Sequence, residues 1–509
     1  MTNTKFCFSS KWMYILPFTA LAISIQAWAQ DGSMHHQYKL TQVGTLGGPD
    51  NDFSSSSNYF DIQAGIVGFA ATATADPFSP NCFYDCFVDH AIKFQYGTLT
   101  GLGALPGTNS SVAIGVNDYG LIVGFSETGS VDPATGYPEY HAVVWEHGVI
   151  KDLGTFGGSV SYANAVNNWG QAIGSAANAV PDQYSQDIGC GGWNCWPMST
   201  QMRAFLWEGG KLQDLGTLGG NDALAYLLNQ KGQVAGMSYT NTTPNATTGV
   251  PTQDPFLWEN GRMVDLGTLG GTMGSPSSIN NLGQVTGESN LAGDQTYQPF
   301  LWDRGVITNL GGLSGSYGTG NWINDAGDVV GYSGTAGDAA FHGFLYHRGT
   351  MTDLGTLAGD FSSKAFAINA VGQIVGVSIN SQYTTYTGVL CESGAPMVDI
   401  NALVEPSSNP SNLYLSQAYG VADSGEILAF GYLPNGDLRM GVLVPDGICG
   451  SACEARIAAS DSARAAAAQA GEAARTTIGG VVSGERAAWR PGLFGRGRFA
   501  PPQPAVPSN

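Results

Sequence analysis

Basic residues are scarce in this sequence: 20 Lys and Arg stand against 40 Asp and Glu in 509 residues, a formal net charge of −20. Proteins that bind a phosphate backbone need clustered Lys and Arg to displace counterions. Residues 447–509 carry seven Arg and four acidic residues, so the rest of the chain is more acidic still. We therefore predict no nucleic-acid partner, which leaves cations, neutral glycans or basic proteins.

Catalytic motifs are also lacking. The sequence contains no G-x-S-x-G, no H-E-x-x-H, no Walker loop and no EF-hand spacing. Its seven histidines include His90, His141 and His342 at the start of one repeated strand, and His147 and His347 in tight turns, which does not indicate a metal cluster. A glycosidase needs only two carboxylates across a cleft, so an enzyme acting on extracellular polysaccharide stays open.

The first 29 residues have the three parts of a secretory signal peptide. Lys5 and Lys11 give a positive start, "MYILPFTALAI" gives an apolar core, and Ala27-Trp28-Ala29 gives a cleavage site between small residues. The apolar core is too short to cross a bilayer as a helix. We predict export to the periplasm, the cell surface or the medium, with no membrane span after cleavage.

Cysteine is sparse, with eight in the whole chain and seven after cleavage. Six of the seven form close pairs, namely Cys82 with Cys86, Cys190 with Cys195, and Cys449 with Cys453. In an oxidising compartment such pairs favour local disulfides. Zinc is the alternative, but no histidine lies near any pair and the spacings are not C-x-x-C. We interpret the remaining Cys391 as a buried thiol that packs as a hydrophobic residue.

Repetition and glycine, of which there are 72, are abundant. Three signatures recur in fixed order, eight times each, typified by "INNLGQVTGES", "RAFLW" and "DLGTLGG". The glycine of the third signature falls at 44, 103, 154, 216, 267, 311 and 355, so the shortest unit has 44 residues and the others carry insertions. A unit of about 40–50 residues with four strands is typical of a propeller blade.

Each unit predicts two hairpins. In "SSINNLGQVTGES" the Asn suits the first position of a type I turn, and the Gly takes the left-handed conformation after it. In "PFLWENGRMVDLG" apolar residues alternate on both sides of a glycine turn. These two hairpins supply the four strands of the unit.

The two ends of the repeat array complement each other. The array opens with "YKLTQVG", a fourth strand without its first three, and it ends at "MGVLVPDG" without a fourth strand. Pairing of the two ends completes one blade and hides the edge strands. We therefore predict an all-β fold, an eight-bladed β-propeller of four-stranded blades over residues 38–446, closed by the N-terminal strand.

These repeats resemble a known family. "HAVVWEHGVIKDLGTFGG" and "RAFLWEGGKLQDLGTLGG", each followed by N-x-x-G-Q, are similar to the HAF family of extracellular repeats in exported bacterial proteins. The likeness runs from Lys39 to about Leu443, although the His-Ala-Phe triplet is eroded: His90-Ala91 and His141-Ala142 keep its first two residues. It implies export and a repeat scaffold, and it brings no reaction and no catalytic residues.

All long insertions fall at one end of the predicted blades, after strand two. Variable loops on a rigid scaffold are where binding residues concentrate. Two of these loops combine a cysteine pair with aromatic residues, Tyr84 in one and Trp193 and Trp196 in the other. We predict an aromatic platform for a sugar ring or a partner protein. The alternative is that these aromatics fold back over the blade edge.

Two periodic sets of residues have a structural interpretation. The tryptophans of strand three are predicted to pack between blades, and they are Trp145, Trp207, Trp258 and Trp302. The polar residues before the "LG" step are predicted to cap backbone N–H groups, and they are Asp152, Asp214, Asp265, Asn309, Asp353 and Asp399. Cation binding by the second set is the alternative. No cofactor or metal is predicted.

The C-terminal segment, residues 447–509, differs in composition from the repeats. "EARIAASDSARAAAAQAGEAAR" suits a marginal Ala-rich helix without an apolar stripe, and "RPGLFGRGRFAPPQPAVPSN" is typical of disorder. We predict a largely disordered tail. The whole sequence favours an exported binding scaffold for a glycan or a protein, with a polysaccharide-acting enzyme and a structural surface or matrix protein as alternatives.

Overall fold

The structure, a computed structural model, describes residues 35–53, 64–79, 86–190, 198–392 and 395–477. These residues form an all-β fold with 32 described strands and few helices. Strand β1 (His36–Gln42) comes first, and the strands that follow form antiparallel four-stranded meanders, numbered here in chain order.

The first four meanders contain the following strands. Meander 1 has β2 (Gly47–Phe53), β3 (Ile66–Ala75), β4 (Phe87–Gln95) and β5 (Thr98–Gly101). Meander 2 has β6 (Ser111–Val116), β7 (Ile122–Val131), β8 (Pro138–Glu146) and β9 (Val149–Gly154). Meander 3 has β10 (Gly157–Val166), β11 (Ala172–Pro181), β12 (Thr200–Glu208) and β13 (Lys211–Asp214). Meander 4 has β14 (Ala223–Leu228), β15 (Val234–Pro244), β16 (Pro251–Glu259) and β17 (Arg262–Asp265).

The remaining strands repeat the pattern. Meander 5 has β18 (Gly270–Ile279), β19 (Val285–Leu291), β20 (Tyr297–Asp303) and β21 (Val306–Asn309). Meander 6 has β22 (Gly318–Ile323), β23 (Val329–Gly334), β24 (Phe341–His347) and β25 (Thr350–Asp353). Meander 7 has β26 (Ser362–Ile368), β27 (Ile374–Ile379), β28 (Tyr386–Cys391) and β29 (Val398–Asp399). Meander 8 has β30 (Tyr414–Val421), β31 (Ile427–Tyr432) and β32 (Leu438–Ile448), with β1 as its fourth strand.

Two-residue turns join strand three to strand four within a meander, and both residues of such a turn have positive φ. In meander 4 these are Asn260 (φ 51°) and Gly261 (φ 83°), and in meander 5 Arg304 (φ 47°) and Gly305 (φ 88°). Positive φ at both central residues defines the type I′ turn, whose twist matches that of antiparallel strands. The glycine turn predicted from the sequence therefore has its physical cause in the second turn position, where an L side chain is strained.

The first strand of each meander from 2 to 8 contains a register shift against its second strand. A bulge of this kind turns one side chain out of the regular alternation. In meanders 3 and 6 the extra residue is Asn164 or Asn321, whose Nδ2 donates to the carbonyl of Ala225 or Ala365 in the next meander at 2.7 Å. The bulge thus places a donor where it links neighbouring meanders.

The hydrophobic core lies between consecutive meanders. Phe205 and Trp207 of meander 3 cluster with Val123 and Val144 of meander 2, and the other interfaces have the same composition. The four strand-three tryptophans are buried, with exposed fractions of 2–8%. The prediction that they form core between repeats is confirmed.

The described strands form six sheets, four of four strands and two of eight. Each eight-stranded sheet consists of two meanders joined by one parallel bridge, Val160 to Tyr140 in one and Gln253 to Met273 in the other. β1 pairs antiparallel with β32, as predicted from the two incomplete ends of the array. Meander 1 also packs on meander 8, since Phe53 and Ile66 share a cluster with Phe430 and Met440.

Three helices are described, α1 (Asp187–Cys190), α2 (Ile400–Leu403) and α3 (Ser451–Thr477). Helix α3 packs against meander 7, where Arg464 pairs with Asp360 at 3.3 Å and with Asp399 at 3.2 Å. Of the segment predicted to be largely disordered, residues 478–509 lie outside the described part of the chain. None of the described helices combines the length and the apolar character needed to cross a membrane.

Candidate functional site

Each meander has two ends with different connections. At the tight-turn side, strand one turns into strand two and strand three into strand four. At the inserted-loop side lie the connections from strand two to strand three and from one meander to the next. At this second side the longest connections cover residues 76–86 and 182–199, between strands two and three, and residues 400–413, between meanders 7 and 8. At the tight-turn side residues 54–65 join β2 to β3, a connection longer than that over residues 76–86. The predicted uniformity of the tight turns is present in meanders 2 to 6 and is wrong for meander 1, whereas the connections at the inserted-loop side vary in length from one meander to the next.

Three predicted ligand-binding aromatics, Tyr84, Trp193 and Trp196, lie outside the described residues, as do Cys82 and Cys195. Their roles stay predictions. Cys86 is disulfide-bonded. For Cys190 the structure describes only the backbone, at the end of α1.

The other cysteine predictions are tested directly. Cys449, just before α3, and Cys453, in its first turn, form a disulfide, which confirms that pair. Cys391 is a free, buried thiol, and burial raises its pKa to about 12. A neutral thiol packed in the core is what the sequence predicted for this position.

The periodic polar residues before the "LG" step act as backbone caps. Their Oδ1 atoms accept the N–H two residues later at 2.7–2.9 Å, and they are Asp152, Asp214, Asp265, Asn309, Asp353 and Asp399. His141 and His342 donate from Nδ1 to Asp152 and Asp353 at 2.9 Å. The predicted capping role is confirmed, and these side chains belong to the architecture of the repeat.

A second set of acceptors, which the sequence analysis missed, begins the inserted loops. Asp76, Asp132, Asp182 and Asn245 each follow strand two, and the Oδ1 of each accepts the N–H two residues later at 2.7–2.8 Å. This local hydrogen bond starts a turn with a short side chain. Strand two has 10 residues in meanders 1, 2 and 3 and 11 in meander 4. The nearly fixed distance from the first turn to this Asp or Asn is therefore the sequence signal that could have revealed the set.

The loop of meander 3 forms the rim of a shallow cleft of about 530 Å³. Its lining comes from both sides of the boundary between meanders 3 and 4, namely Pro181, Asp182, Gln183, Tyr184, Ser199, Asn221 and Thr242. Asn221 Nδ2 donates to Asp182 Oδ2, and the backbone N–H of Asp182 donates to the carbonyl of Ser199 at 3.1 Å. The rim is thus polar, and hydrogen bonds hold it in place.

Asp222 is a buried acid next to the cleft residue Asn221. Its carboxyl is fully buried, and its Oδ1 accepts from Ser185 Oγ at 2.6 Å and from the Met202 N–H at 2.7 Å. Burial raises the pKa of Asp222 to about 6, against the opposing effect of these two hydrogen bonds. Its Oδ2 has no hydrogen-bond partner among the described residues.

A further group of buried acids lies at the same side, between meanders 1 and 2. Asp76, Asp89 and Glu127 are each at most 3% exposed. Tyr140 donates its hydroxyl to Glu127 Oε1 at 3.4 Å. Burial and then the charge of Asp76 raise the pKa of Glu127 above its usual range. Within the described ranges, no three His, Cys, Asp or Glu side chains have an arrangement that fits a metal ion.

Comparison with known proteins gives no family assignment. No protein-family model and no curated protein matches the chain. Among solved structures it is similar to TolB from Acinetobacter baumannii, at 10% identity and a TM-score of 0.28 over 79% of this chain and 87% of that one. It is also similar to Porphyromonas gingivalis dipeptidyl peptidase 4, at 9% identity and a TM-score of 0.35 over 73% of this chain and 56% of that one. Similarity at these TM-scores carries no argument about function.

Proposed function

We propose that the protein is an exported eight-bladed β-propeller that serves as a binding scaffold for a glycan or a protein. Eight four-stranded meanders support the blade count. The pairing of β1 with β32 and the packing of meander 1 on meander 8 support closure of the ring. Closure of this kind removes exposed edge strands, which an open array must protect in other ways.

Export is supported by the predicted signal peptide and by the disulfide between Cys449 and Cys453, because such bonds persist in oxidising compartments. The resemblance to HAF repeats is part of the same proposal. The acidic composition supports a partner other than nucleic acid.

The observation that carries the binding role is the contrast between the two sides of the meanders. Repeated strands and tight turns form the scaffold, and outside meander 1 the longest connections lie at the inserted-loop side. The cleft beside Asp182, Tyr184 and Asn221 offers polar groups already fixed by hydrogen bonds, which reduces the entropy lost on binding. Tyr84, Trp193 and Trp196 are proposed to extend this surface with aromatic rings.

The test is a glycan array and pull-down experiment with the chain from Gln30 to Asn509, disulfides intact, so that α3 keeps its contacts. We expect the triple substitution Y84A/W193A/W196A, and separately Tyr184→Ala, to abolish or strongly weaken binding. Tyr383→Ala is the matched control, because Tyr383 is 46% exposed in the corresponding connection of meander 7. Binding unchanged in both variants would refute the placement. Turnover of an array glycan would instead favour the enzyme, and neither binding nor turnover would favour a structural role.

A further inference from the structure

The tight-turn side contains a continuous row of hydrogen-bonded turns. In six meanders the Asn that begins the first turn donates from Nδ2 to a backbone carbonyl of the next meander's turn at 2.8–3.3 Å, and these residues are Asn117, Asn167, Asn229, Asn280, Asn324 and Asn369. Because each turn is bonded to the next, the residues at one turn position lie side by side along the row. The exposed side chains at one turn position therefore form a single surface along the row.

The third turn position is the most exposed. It holds Tyr119 (80% exposed), Trp169 (75%), Leu282 (59%) and Val371 (67%) in four of the turns. The same position holds Lys231, Ala326 and Ser424 in the others. Since lysine, alanine and serine all occupy it, the turn does not require an aromatic side chain there. Tyr119 and Trp169, on adjacent turns, need an explanation outside the architecture of the repeat.

Trp169 is fixed in place although its ring is exposed. Its Nε1 donates to the carbonyl of Gln230 in the next turn at 2.8 Å. The hydrogen bond orients the indole while leaving most of its surface in water. A large aromatic side chain held rigidly in solvent loses little further entropy when a ligand covers it.

Polar groups join the two turns that carry these rings. The backbone N–H of Asp118 donates to Asn168 Oδ1 at 3.0 Å, and Asn168 Nδ2 donates to Asp118 Oδ2 at 2.5 Å. Asp118 precedes Tyr119 and Asn168 precedes Trp169, so a carboxylate and an amide are set beside the rings. The amine of Lys93 lies near Gly120, in the turn of Tyr119. The two neighbouring turns thus carry two aromatic rings together with hydrogen-bond donors and acceptors.

We propose that Tyr119 and Trp169, together with Asp118 and Asn168, form a binding site for an oligosaccharide. Each ring stacks on the apolar face of one sugar unit, and the carboxylate and amide bond to hydroxyl groups. A protein partner is less well matched, because a protein hot spot is a packed, water-excluding cluster and these rings stand on separate turns. The site is on the side opposite the inserted loops, so it does not depend on the function proposed above.

The test is isothermal titration of the chain from Gln30 to Asn509 with cello-, chito-, malto-, manno- and xylohexaose. We expect at least one hexasaccharide to bind, and Trp169→Ala and Tyr119→Ala each to weaken that binding at least about tenfold. Trp169→Phe, which keeps an aromatic face, is expected to retain part of the affinity. Leu282→Ala and Val371→Ala are matched controls at the same turn position and are expected to bind as the unmodified protein does.

Binding to none of the five hexasaccharides, or binding that Trp169→Ala leaves unchanged, would overturn the proposal. So would dimerisation in sedimentation experiments that Trp169→Ala abolishes, because the rings would then form a self-association surface. The triple substitution Y84A/W193A/W196A separates the two proposals. Binding lost in that variant but kept in Trp169→Ala would support the inserted-loop site and refute this one.

Discussion

The tight-turn side and the inserted-loop side connect the same strands with different polar groups. The turns use asparagine, whose amide accepts from its own turn and donates to the next meander. The loops begin mostly with aspartate, whose ionised carboxyl only accepts. An uncharged amide can therefore both accept from its own turn and donate to the next meander, and every turn can have the same geometry. A carboxylate anchors a loop of any length but becomes costly when the loop buries it.

The largest expected effect comes from breaking the row of turns. Asn229 is 2% exposed, and its Oδ1 accepts from the N–H groups of Lys231 and Gln233 at 3.0 Å. Its Nδ2 donates to the carbonyl of Asn280 at 3.0 Å. Asn229→Ala leaves these buried groups without partners, so we expect the free energy of unfolding in urea to fall by about 3 kcal/mol.

The control for this prediction lies in the same turn. Lys231 is exposed, and Lys231→Ala is expected to change the free energy of unfolding by less than about 0.5 kcal/mol. Asn229→Asp keeps the acceptor and loses the donor, so its effect reports the bond to Asn280 in the next meander together with the bond to Gln233 in the same turn. Equal effects of Asn229→Ala and Lys231→Ala would show that the row of turns contributes nothing to stability.

The same contrast explains what the sequence reveals. Residues that recur at a fixed place in each unit were predictable, such as the Asn and Gly of the first turn, the glycine of the type I′ turn, Trp207 in strand three and the Asp214 cap. Each repeats at a fixed place because each unit meets the same local need. The pairing of β1 with β32 was also predictable, because two incomplete ends needed each other.

Individual hydrogen bonds and ion pairs between units were not predictable. The bond from Asn229 to Asn280 depends on the rotation between meanders, and the bulge at Asn164 leaves no periodic signal. Helix α3 is held by polar contacts that its sequence does not reveal, namely those of Arg464 with Asp360 and Asp399, of Ser460 with Asp399 and of Arg456 with the Ala402 carbonyl. The buried acid Asp222 looks like any loop aspartate in the sequence. The exposure of Tyr119 and Trp169 likewise appears only when their turn positions are compared in three dimensions.

A second prediction concerns the buried acid of the inserted-loop side. The Asp222 carboxyl has a pKa of about 6 in the folded protein because burial raises it, whereas an unfolded Asp ionises near about 3.9. The folded state therefore holds a proton that the unfolded state releases, and stability falls as pH rises from about 4 to about 6. Asp222→Asn removes this loss, so we expect a gain of about 2 kcal/mol in the free energy of unfolding at pH 8 and a flatter profile between pH 4 and pH 8.

Urea unfolding at five pH values measures this profile. Asp187→Asn is the matched control, because Asp187 is an exposed residue of the same loop. Partial burial raises its pKa in the same direction, so its substitution is expected to change the profile in the same sense as Asp222→Asn but by less, since solvent screens an exposed group. If Asp222→Asn were no more stable than the unmodified protein at pH 8, the buried carboxyl would not be a source of instability.

The smallest expected change in stability concerns Glu392, a carboxylate at the tight-turn side that has several hydrogen-bond partners. Burial would raise the pKa of Glu392, but hydrogen bonds from His35, Gln373 and His36 lower it to about 2. Its ionised form therefore contributes stability that is complete above the unfolded pKa near about 4.3 and is lost as pH falls towards about 2. Glu392→Gln is expected to lower stability at pH 7 by about 1 kcal/mol, a modest value because His36 is half exposed.

Glu208 provides the control, because it ends strand three of meander 3 next to Trp207, as Glu392 comes next to Cys391 in meander 7, and it accepts from Gln171 at 3.2 Å, the counterpart of the bond from Gln373. Acid unfolding of Glu392→Gln should be less steep between pH 4.5 and pH 2 than that of the unmodified protein, while Glu208→Gln should leave the profile nearly unchanged. The two sides would then have opposite pH dependence: Glu392 stabilises the fold as it ionises, and Asp222 destabilises it. Parallel acid profiles for both glutamate variants would mean that His35 and His36 add nothing beyond the glutamine bond.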